Sequence, residues 1–575
     1  MRRSLLFIII AIIFSIFRGE NLFSQNQMIK VSVVTPYWDP EFRTTGHIMQ
    51  LLERAGENHS DLVCLPQDCV PTSGEPIPGP ISRMLGEIAK KYSMYVVGNI
   101  KERDGNKLYQ TSFLLGRWGE LLGKYRQTHK LPDETIDLGD ELPVFTTDFG
   151  KIALTMGSEH YVRELYQVLG IKGAGLIVWS SSPELMADED FMERILRRRI
   201  DGYKVWARYA ARQPNTGGII GWPQGKSMII DGMGNTLAQT GSEAGITTAL
   251  IPMPLHPSWS KGFKNELGLF RMIAEPTPSL PEKKYAKRKA RITLLPTCSV
   301  EEIEAAGMAR SDIAVSSEYA WPPTNATRER VKNIGRLAKK YHMYVAVSGF
   351  IGRAERNEMI LFDREGQRVG LFYKIHTTTD DAAKHQIPGT EVPVFDTDFG
   401  RLAWRICADE GSPDIDRCFA LQRGDMIFHP TMSWTGRWRE DREAAMAADN
   451  GIYFARVFGV QRNITDSRFY VVDRSGRVIR RSQFGESNVM TIDIDFDTVI
   501  PRYILSSTLR YPHQWKYPDQ WTPAEHPGID ADLRETIFTM RRPELYRTLA
   551  DPDIPMYGEE NFLKVMMEKL DLFAK

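Results

Sequence analysis

The chain has 575 residues, too many for a single hydrophobic core, and its apolar and charged fractions of 42% and 25% are ordinary for globular protein. Lys+Arg and Asp+Glu each number 73, so the overall basic excess typical of a nucleic-acid binder is absent. Cys64, Cys69, Cys298, Cys407 and Cys418 form an odd, sparse set: at least one stays outside any internal disulfide, and no spacing matches a zinc site.

The N-terminus reads MRRSLLFIIIAIIFSIFRGENLFSQ, with two arginines before an apolar run from Leu5 to Phe17. That run falls short of the roughly 17–25 residues of a membrane span and suits a secretory signal over 1–25, with an uncleaved anchor as the alternative. The expected location is therefore export, or membrane attachment if the signal is retained. MIKVSVVT then predicts a strand, HIMQLLERAG a helix, DLVCLP a strand, ISRMLGEIAKKY a helix and MYVVGNI a strand. SFLLGRWGELLGKY alternates like a hairpin broken by Gly and charge. KIALTM, a helix near YVRELYQVLG, LIVWSS and a long helix from Asp188 to Ala211 complete the unit. Strands alternating with helices indicate an α/β class.

The same order then returns. AKKYSMYV at Ala89 reappears as AKKYHMYV at Ala338, an offset of 249 residues. PVFTTDFGKIA at Pro143 reappears as PVFDTDFGRLA at Pro393, an offset of 250, and GKYRQTH at Gly123 as GLFYKIH at Gly370, an offset of 247. The chain is read as a tandem duplication, with domains at 29–255 and 291–500. The connection 256–290 carries a basic run, KKYAKRKAR (Lys283–Arg291), which reads as a solvated linker rather than an anion site. The extension 501–575 is too rich in Tyr and Trp for a disordered spacer. It is expected to wrap a folded surface and to end in an amphipathic docking helix, ENFLKVMMEKLDLF.

In the second copy Glu318 closes SDIAVSSEY, Lys374 lies in GLFYKIH and Cys407 closes RLAWRIC. Taken singly these read as a solvated Glu, an exposed Lys and a packed Cys. Together they are the parts of an acyl-transfer site: a thiol nucleophile, a base for it, and a positive charge for an oxyanion. Order and spacing resemble the nitrilase (carbon–nitrogen hydrolase) superfamily, over roughly 29–255 and 291–500. The resemblance implies two tandem α-β-β-α sandwich domains packed as an intramolecular pseudo-dimer, with further homo-oligomers an option. It implies cleavage of a non-peptide C–N bond through a Cys thioester. Glu318 is then the general base, Lys374 the stabiliser of the oxyanion, Cys407 the nucleophile and the Ala408 N–H the second oxyanion donor. Asp409 and His376 become supports behind these groups. A further acid between Lys and Cys, common in relatives, has Asp380, Asp381 and Glu391 as candidates. The sequence C-A-D-E-G after Cys407 is closer to amidases and carbamoylases than to true nitrilases, so the expected substrate is a small amide or N-carbamoyl compound. Trp434, in HPTMSW, is a candidate substrate contact, with ordinary packing the plainer reading. The cycle so implied needs neither metal nor organic cofactor, and export calls for a closed pocket around an oxidisable thiol.

In the first copy the matching positions are Gln67, Gln127 and Gly157, which supply neither carboxylate, ammonium nor thiol. Ser158 falls one place late and is expected to point elsewhere. The first copy is read as catalytically degenerate. Two rival readings remain at this stage: an N-acyltransferase using the same thioester, and a non-catalytic binding or scaffold protein.

Overall fold

The computed structural model describes residues 27–37, 42, 44–132, 134–180, 217–221, 227–230, 236–241, 243–253, 263–264, 270–279, 284–318, 327–350, 356–376, 386–432, 437–459, 469–482, 489–499, 532–550 and 555–557. The expected signal, the helix at Asp188–Ala211 and the segment ENFLKVMMEKLDLF lie outside these residues. Among the described residues no helix is long and apolar enough to cross a membrane. The chain divides into two compact units, one built mainly from 1–189 and 199–261, the other mainly from 262–505 and 521–575.

The first unit runs β1 (Gln27–Thr35), α1 (Thr45–Glu57), β2 (Leu62–Cys64), α2 (Pro80–Tyr92), β3 (Tyr95–Asp104), β4 (Lys107–Leu115) and β5 (Leu121–Arg126). It continues β6 (Phe145–Thr147), β7 (Gly150–Met156), α3 (Arg163–Ile171), β8 (Leu176–Ser180), β9 (Gly217–Gly221), β10 (Met228–Ile230), β11 (Thr236–Gln239) and β12 (Gly245–Met253). These strands make two six-stranded sheets, ordered β12-β1-β2-β3-β4-β5 and β11-β10-β9-β8-β7-β6. In each sheet three central strands are parallel, β1-β2-β3 and β7-β8-β9. Parallel neighbours need long crossovers, and α1, α2 and α3 supply them. Thr44 caps α1 by accepting from the His47 N–H at 3.2 Å, and Ile48, Leu51, Leu52 and Ala55 fall at helical spacing on its buried side. They join Leu85, Ile88, Val63, Val96 and Phe113 in one apolar layer between helices and sheet. Each such Leu or Ile contributes about 1.5–3 kcal/mol by burial.

The second unit, after β13 (Phe263–Lys264), repeats the plan. It runs β14 (Lys289–Leu295), α4 (Val300–Met308), β15 (Ile313–Ser316), α5 (Thr327–Tyr341), β16 (Tyr344–Gly349), β17 (Glu358–Phe362) and β18 (Arg368–Tyr373). Its second half is β19 (Phe395–Asp396), β20 (Arg401–Trp404), α6 (Pro413–Leu421), β21 (Met426–Thr431), α7 (Arg437–Asn450), β22 (Tyr453–Phe458), β23 (Phe469–Val472), β24 (Val478–Arg481) and β25 (Met490–Asp495). The sheet orders β18-β17-β16-β15-β14-β25 and β19-β20-β21-β22-β23-β24 match the first unit strand for strand. Packing details are duplicated too. A Cβ on Gly56 would sit 2.2 Å from the Tyr92 ring, and one on Gly307 2.2 Å from the Tyr341 ring, so both helix pairs approach closely only because of a glycine. Tyr95 meets Phe149 edge-on at 5.2 Å and Tyr344 meets Phe399 at 5.7 Å, joining the two sheets within each unit. The expected α/β class with two tandem α-β-β-α sandwiches is the fold observed.

The basic run is not a solvated linker over 287–291. β14 begins at Lys289, Lys287 pairs with Asp312 at 2.5 Å, Arg288 with Asp425 at 2.9 Å, and Arg291 with Asp493 at 2.8 Å. Arg288 also lies over the Tyr285 ring at 4.6 Å. Read as composition the charges look free; in the fold they meet carboxylates brought in from distant strands. In the extension, α8 (Leu533–Met540) is capped by Asp532 and docks on the second unit. Arg534 donates to the Ala420 carbonyl at 3.2 Å, and Arg541 to the Ile273 carbonyl at 2.6 Å. A short strand, β26 (Pro555–Tyr557), pairs with β13.

Candidate active site

In the second unit Glu318, Lys374 and Cys407 lie just beyond the C-terminal ends of β15, β18 and β20. Strand β20 stops at Trp404, earlier than RLAWRIC suggests, and Cys407 opens a tight 3-10 turn over Cys407–Gly411. Its φ of 46° is left-handed, a conformation that a side-chain-bearing residue holds only under constraint from its surroundings. Lys374 Nζ lies 3.6 Å from Glu318 Oε1, both side chains are buried, and the Cys407 thiol hydrogen-bonds Glu318. The Asn357 side-chain amide donates to Glu318 Oε1 at 2.8 Å and the Met432 N–H to Oε2 at 3.0 Å. The structure thus brings the three predicted residues together and adds two donors that fix the carboxylate.

Burial raises the Glu318 carboxyl above its usual range, against the pull of Lys374. Burial also pushes the Cys407 thiol up to about 12, helped by the Glu318 charge and opposed by Lys374. At neutral pH Cys407 therefore rests as the thiol. Cys407 is partly exposed, whereas the other four cysteines are buried.

Asp409 and His376 stand behind these groups. Asp409 Oδ1 accepts from the Ile375 N–H at 3.0 Å and the His376 N–H at 2.7 Å, while Oδ2 accepts from the Ile406 N–H at 2.8 Å. One buried carboxylate thereby ties the chain after Lys374 to the chain before Cys407. Beneath the turn lies a set of buried charges. Glu443 accepts from Arg456 at 2.7 Å, Arg405 at 3.1 Å and the Tyr470 hydroxyl. Its Oε1 lies 2.7 Å from His429 Nδ1, and His429 Nε2 lies 3.1 Å from the Cys407 carbonyl oxygen. Nδ1 also lies 3.5 Å from the Arg456 guanidinium, so it stands between a carboxylate and a cation, while Nε2 faces a carbonyl. Burial, with Arg405, lowers the His429 pKa, and Glu443 works the other way. Glu410, His429 and Glu443 present three ligand atoms within 4.8 Å of one another, but Arg456 donates to both carboxylates, so the cluster is an ion-pair network whose charge is already compensated.

In the first unit the corresponding positions converge in the same way without the chemistry. A Cβ on Gly157, itself at φ 49°, would lie 2.9 Å from Gln67 Oε1 and 3.6 Å from Gln127 Oε1. The Gln127 amide nitrogen lies 2.8 Å from the His129 carbonyl and 2.9 Å from Glu134, and shares its two N–H groups between these and Ser158. Glu159 takes the place of Asp409, accepting from the Thr128 N–H at 2.8 Å, the His129 N–H at 3.3 Å and the Met156 N–H at 3.0 Å. Ser158 does not point elsewhere: its hydroxyl oxygen accepts from the Gln127 amide at 3.2 Å, because the tight turn that follows Met156 carries it back toward β5.

Ala408 lies next to Cys407 and is partly exposed. Glu391 is exposed at the surface and is removed from the candidate acids. Trp434, Asp380 and Asp381 lie outside the described residues. The sequence reading missed Asn357, Arg405, Glu443 and Arg456 as parts of the site. The available signal was charge in apolar strands: Arg405 sits inside RLAWRIC and Arg456 inside YFARVF.

The model of the family described as carbon-nitrogen hydrolase matches residues 31–261 and 282–502. The omega-amidase NIT2 of Bos taurus is 28% identical over 224 residues, covering 35% of this chain and 80% of the relative. The omega-amidase NIT2 of Homo sapiens is 29% identical over 196 residues, covering 32% and 70%. Among solved structures, Saccharomyces cerevisiae Nit3 is 22% identical with a TM-score of 0.35, over 40% of this chain and 92% of its own. An amidase from Nesterenkonia sp. is 17% identical with a TM-score of 0.33, over 40% and 93%. With both copies matched, the chain belongs to the carbon–nitrogen hydrolase family.

Proposed function

We propose that the second unit is an amidase that cleaves a small amide through a thioester on Cys407, and that the first unit is a degenerate copy. The observation carrying this reading is the convergence of Glu318, Lys374 and Cys407 at one set of strand ends, where the first copy holds Gln67, Gln127 and Gly157. The amidase relatives support an amide as the scissile group. In the cycle, Glu318 takes the proton of Cys407 as sulfur forms its bond to the amide carbon. The carbonyl π pair moves to oxygen, held by Lys374 and the Ala408 N–H. The C–N bond breaks, the nitrogen takes the proton from Glu318, and ammonia or an amine leaves. Water then attacks the thioester carbon while Glu318 takes its proton. The C–S bond breaks, Cys407 regains a proton, and the acid departs. Asp381 follows Lys374 at the same seven-residue distance that separates Glu134 from Gln127, which favours it as the further acid.

The test uses two readouts. Ammonia and free-acid release from primary amides is expected from the native protein and lost in Glu318→Gln and in Lys374→Ala. Iodoacetamide alkylation of Cys407 near pH 8 is expected to slow in both variants: Glu318→Gln removes the base that takes the thiol proton, and Lys374→Ala removes the charge that favours the thiolate. Loss of amide hydrolysis with labelling unchanged in both variants would sink the assigned roles. Transfer of the acyl group with no free acid would instead identify an acyltransferase.

A further inference from the structure

The Cys407–Ala408 peptide has two ends. Its N–H is the oxyanion donor in the mechanism above, and its carbonyl oxygen lies 3.1 Å from His429 Nε2. A carbonyl only accepts, so Nε2 carries the proton in this contact. In a planar trans peptide the C=O and N–H point in opposite directions. The Ala408 N–H therefore leads away from His429, and both Cys407 and Ala408 are partly exposed. A donor on the carbonyl also draws charge across the amide and makes its N–H a stronger donor, since hydrogen bonds in series polarise one another.

His429 is fully buried within β21, and its other nitrogen lies between Arg456 and Glu443, which Arg405, Arg456 and Tyr470 hold in turn. The first copy offers a comparison. There Trp179 Nε1 donates to the Gly157 carbonyl at the same 3.1 Å. The fold asks for a donor at this point in both units. Only the second supplies it from an ionisable ring backed by a carboxylate, and only the second has a nucleophile above it.

We propose that His429 is a positioning residue for catalysis, aligning and polarising the Cys407–Ala408 peptide so that the Ala408 N–H is an effective oxyanion donor. The proposal rests on the amidase reading of Cys407. Because alkylation by iodoacetamide is a displacement at sp3 carbon, it forms no oxyanion and does not use this donor. His429 substitutions should therefore separate the two reactions.

The experiment is steady-state hydrolysis of a primary amide beside iodoacetamide labelling of Cys407, in the full chain. His429→Phe is expected to lower kcat by about 10- to 100-fold, below the full loss of an oxyanion donor, with KM changed by less than about 3-fold. Labelling should stay within about 2-fold of native, since the thiol itself is untouched. His429→Gln, which restores an N–H, should recover most of the loss, and it serves as the folding control should the Phe variant be unstable. Trp179→Phe should leave kcat unchanged. An unchanged kcat in the folded Phe variant, a parallel fall in labelling, or no rescue by Gln overturns the positioning role. Hydrolysis that survives Cys407→Ala, or no hydrolysis by the native protein, overturns the amidase reading and the proposal with it.

Discussion

The two units carry one scaffold twice and, on the function proposed above, one chemistry once. Both anchor the turn at the nucleophile position with a single buried carboxylate, Glu159 in the first and Asp409 in the second, each taking three backbone N–H groups from the same places in the fold. Both put a side-chain donor on the carbonyl at that position and hold it in a left-handed conformation, Gly157 at φ 49° and Cys407 at φ 46°. What differs is three side chains: Gln67, Gln127 and Gly157 in the first unit, Glu318, Lys374 and Cys407 in the second. The turn, its clasp and its conformation thus belong to the fold, and the thiol, carboxylate and ammonium are placed on top of it.

The comparison breaks most completely at the nucleophile. Cys407→Ala should lower amide hydrolysis by about 10^4-fold or more. Gln67→Ala in the first copy should leave the rate within about 2-fold, since no reacting group is removed. A large loss from the Gln67 change would mean that the first copy takes part in turnover. The clasps come next. Asp409→Ala and Glu159→Ala should each lose about 3 kcal/mol in the urea transition, because each leaves buried N–H groups unpaired. Only Asp409→Ala should also lower kcat, since only its turn presents a nucleophile. Equal effects of both on kcat would show that the clasp acts through global stability alone.

A third comparison uses pH. Burial raises Glu318, and as a base it works only when ionised, so the acid limb of kcat/KM should lie above the ordinary carboxylate range. The Asn357 donor favours the ionised form. Asn357→Leu should raise the Glu318 pKa further and move the limb to higher pH. An acid limb left in place, or moved down, would show that Glu318 is not the titrating base.

Much of this was readable from the sequence, because the repeat blocks carry it. The strand and helix pattern, the tandem plan and the meeting of Glu318, Lys374 and Cys407 all follow from conserved order within one chain and alternating apolar runs. The charge network was not readable. Arg405, His429, Glu443 and Arg456 stand far apart in sequence and become neighbours only when β20, β21, β22 and α7 stack. The basic run misled for the same reason: Arg288 reads as solvated until β14 brings it beside Asp425. Ser158 is one place late in sequence, yet the tight turn after Met156 brings its hydroxyl to Gln127, a placement that the one-residue offset does not reveal.

The smallest expected effect tests whether Cys407 stores strain. At φ 46° its side chain sits in a region that costs an L-residue about 1–2 kcal/mol and glycine almost nothing. Gly157 shows what the same turn adopts when no thiol is needed. Cys407→Gly should therefore abolish hydrolysis and yet leave stability equal or raised by about 1 kcal/mol, the relief of strain offsetting the lost side-chain contacts. Gly157→Ala should do the opposite, losing about 1–2 kcal/mol without touching activity, since its Cβ would lie 2.9 Å from Gln67 Oε1 in an unfavourable conformation. Thermal unfolding of the two variants beside the native protein decides the point. If Cys407→Gly is clearly destabilised, the thiol is an ordinary packed side chain as far as the fold is concerned. If the two shifts are opposite in sign, the second copy gives up stability at the one residue where the first copy has relaxed, and that residue is where the chemistry is placed.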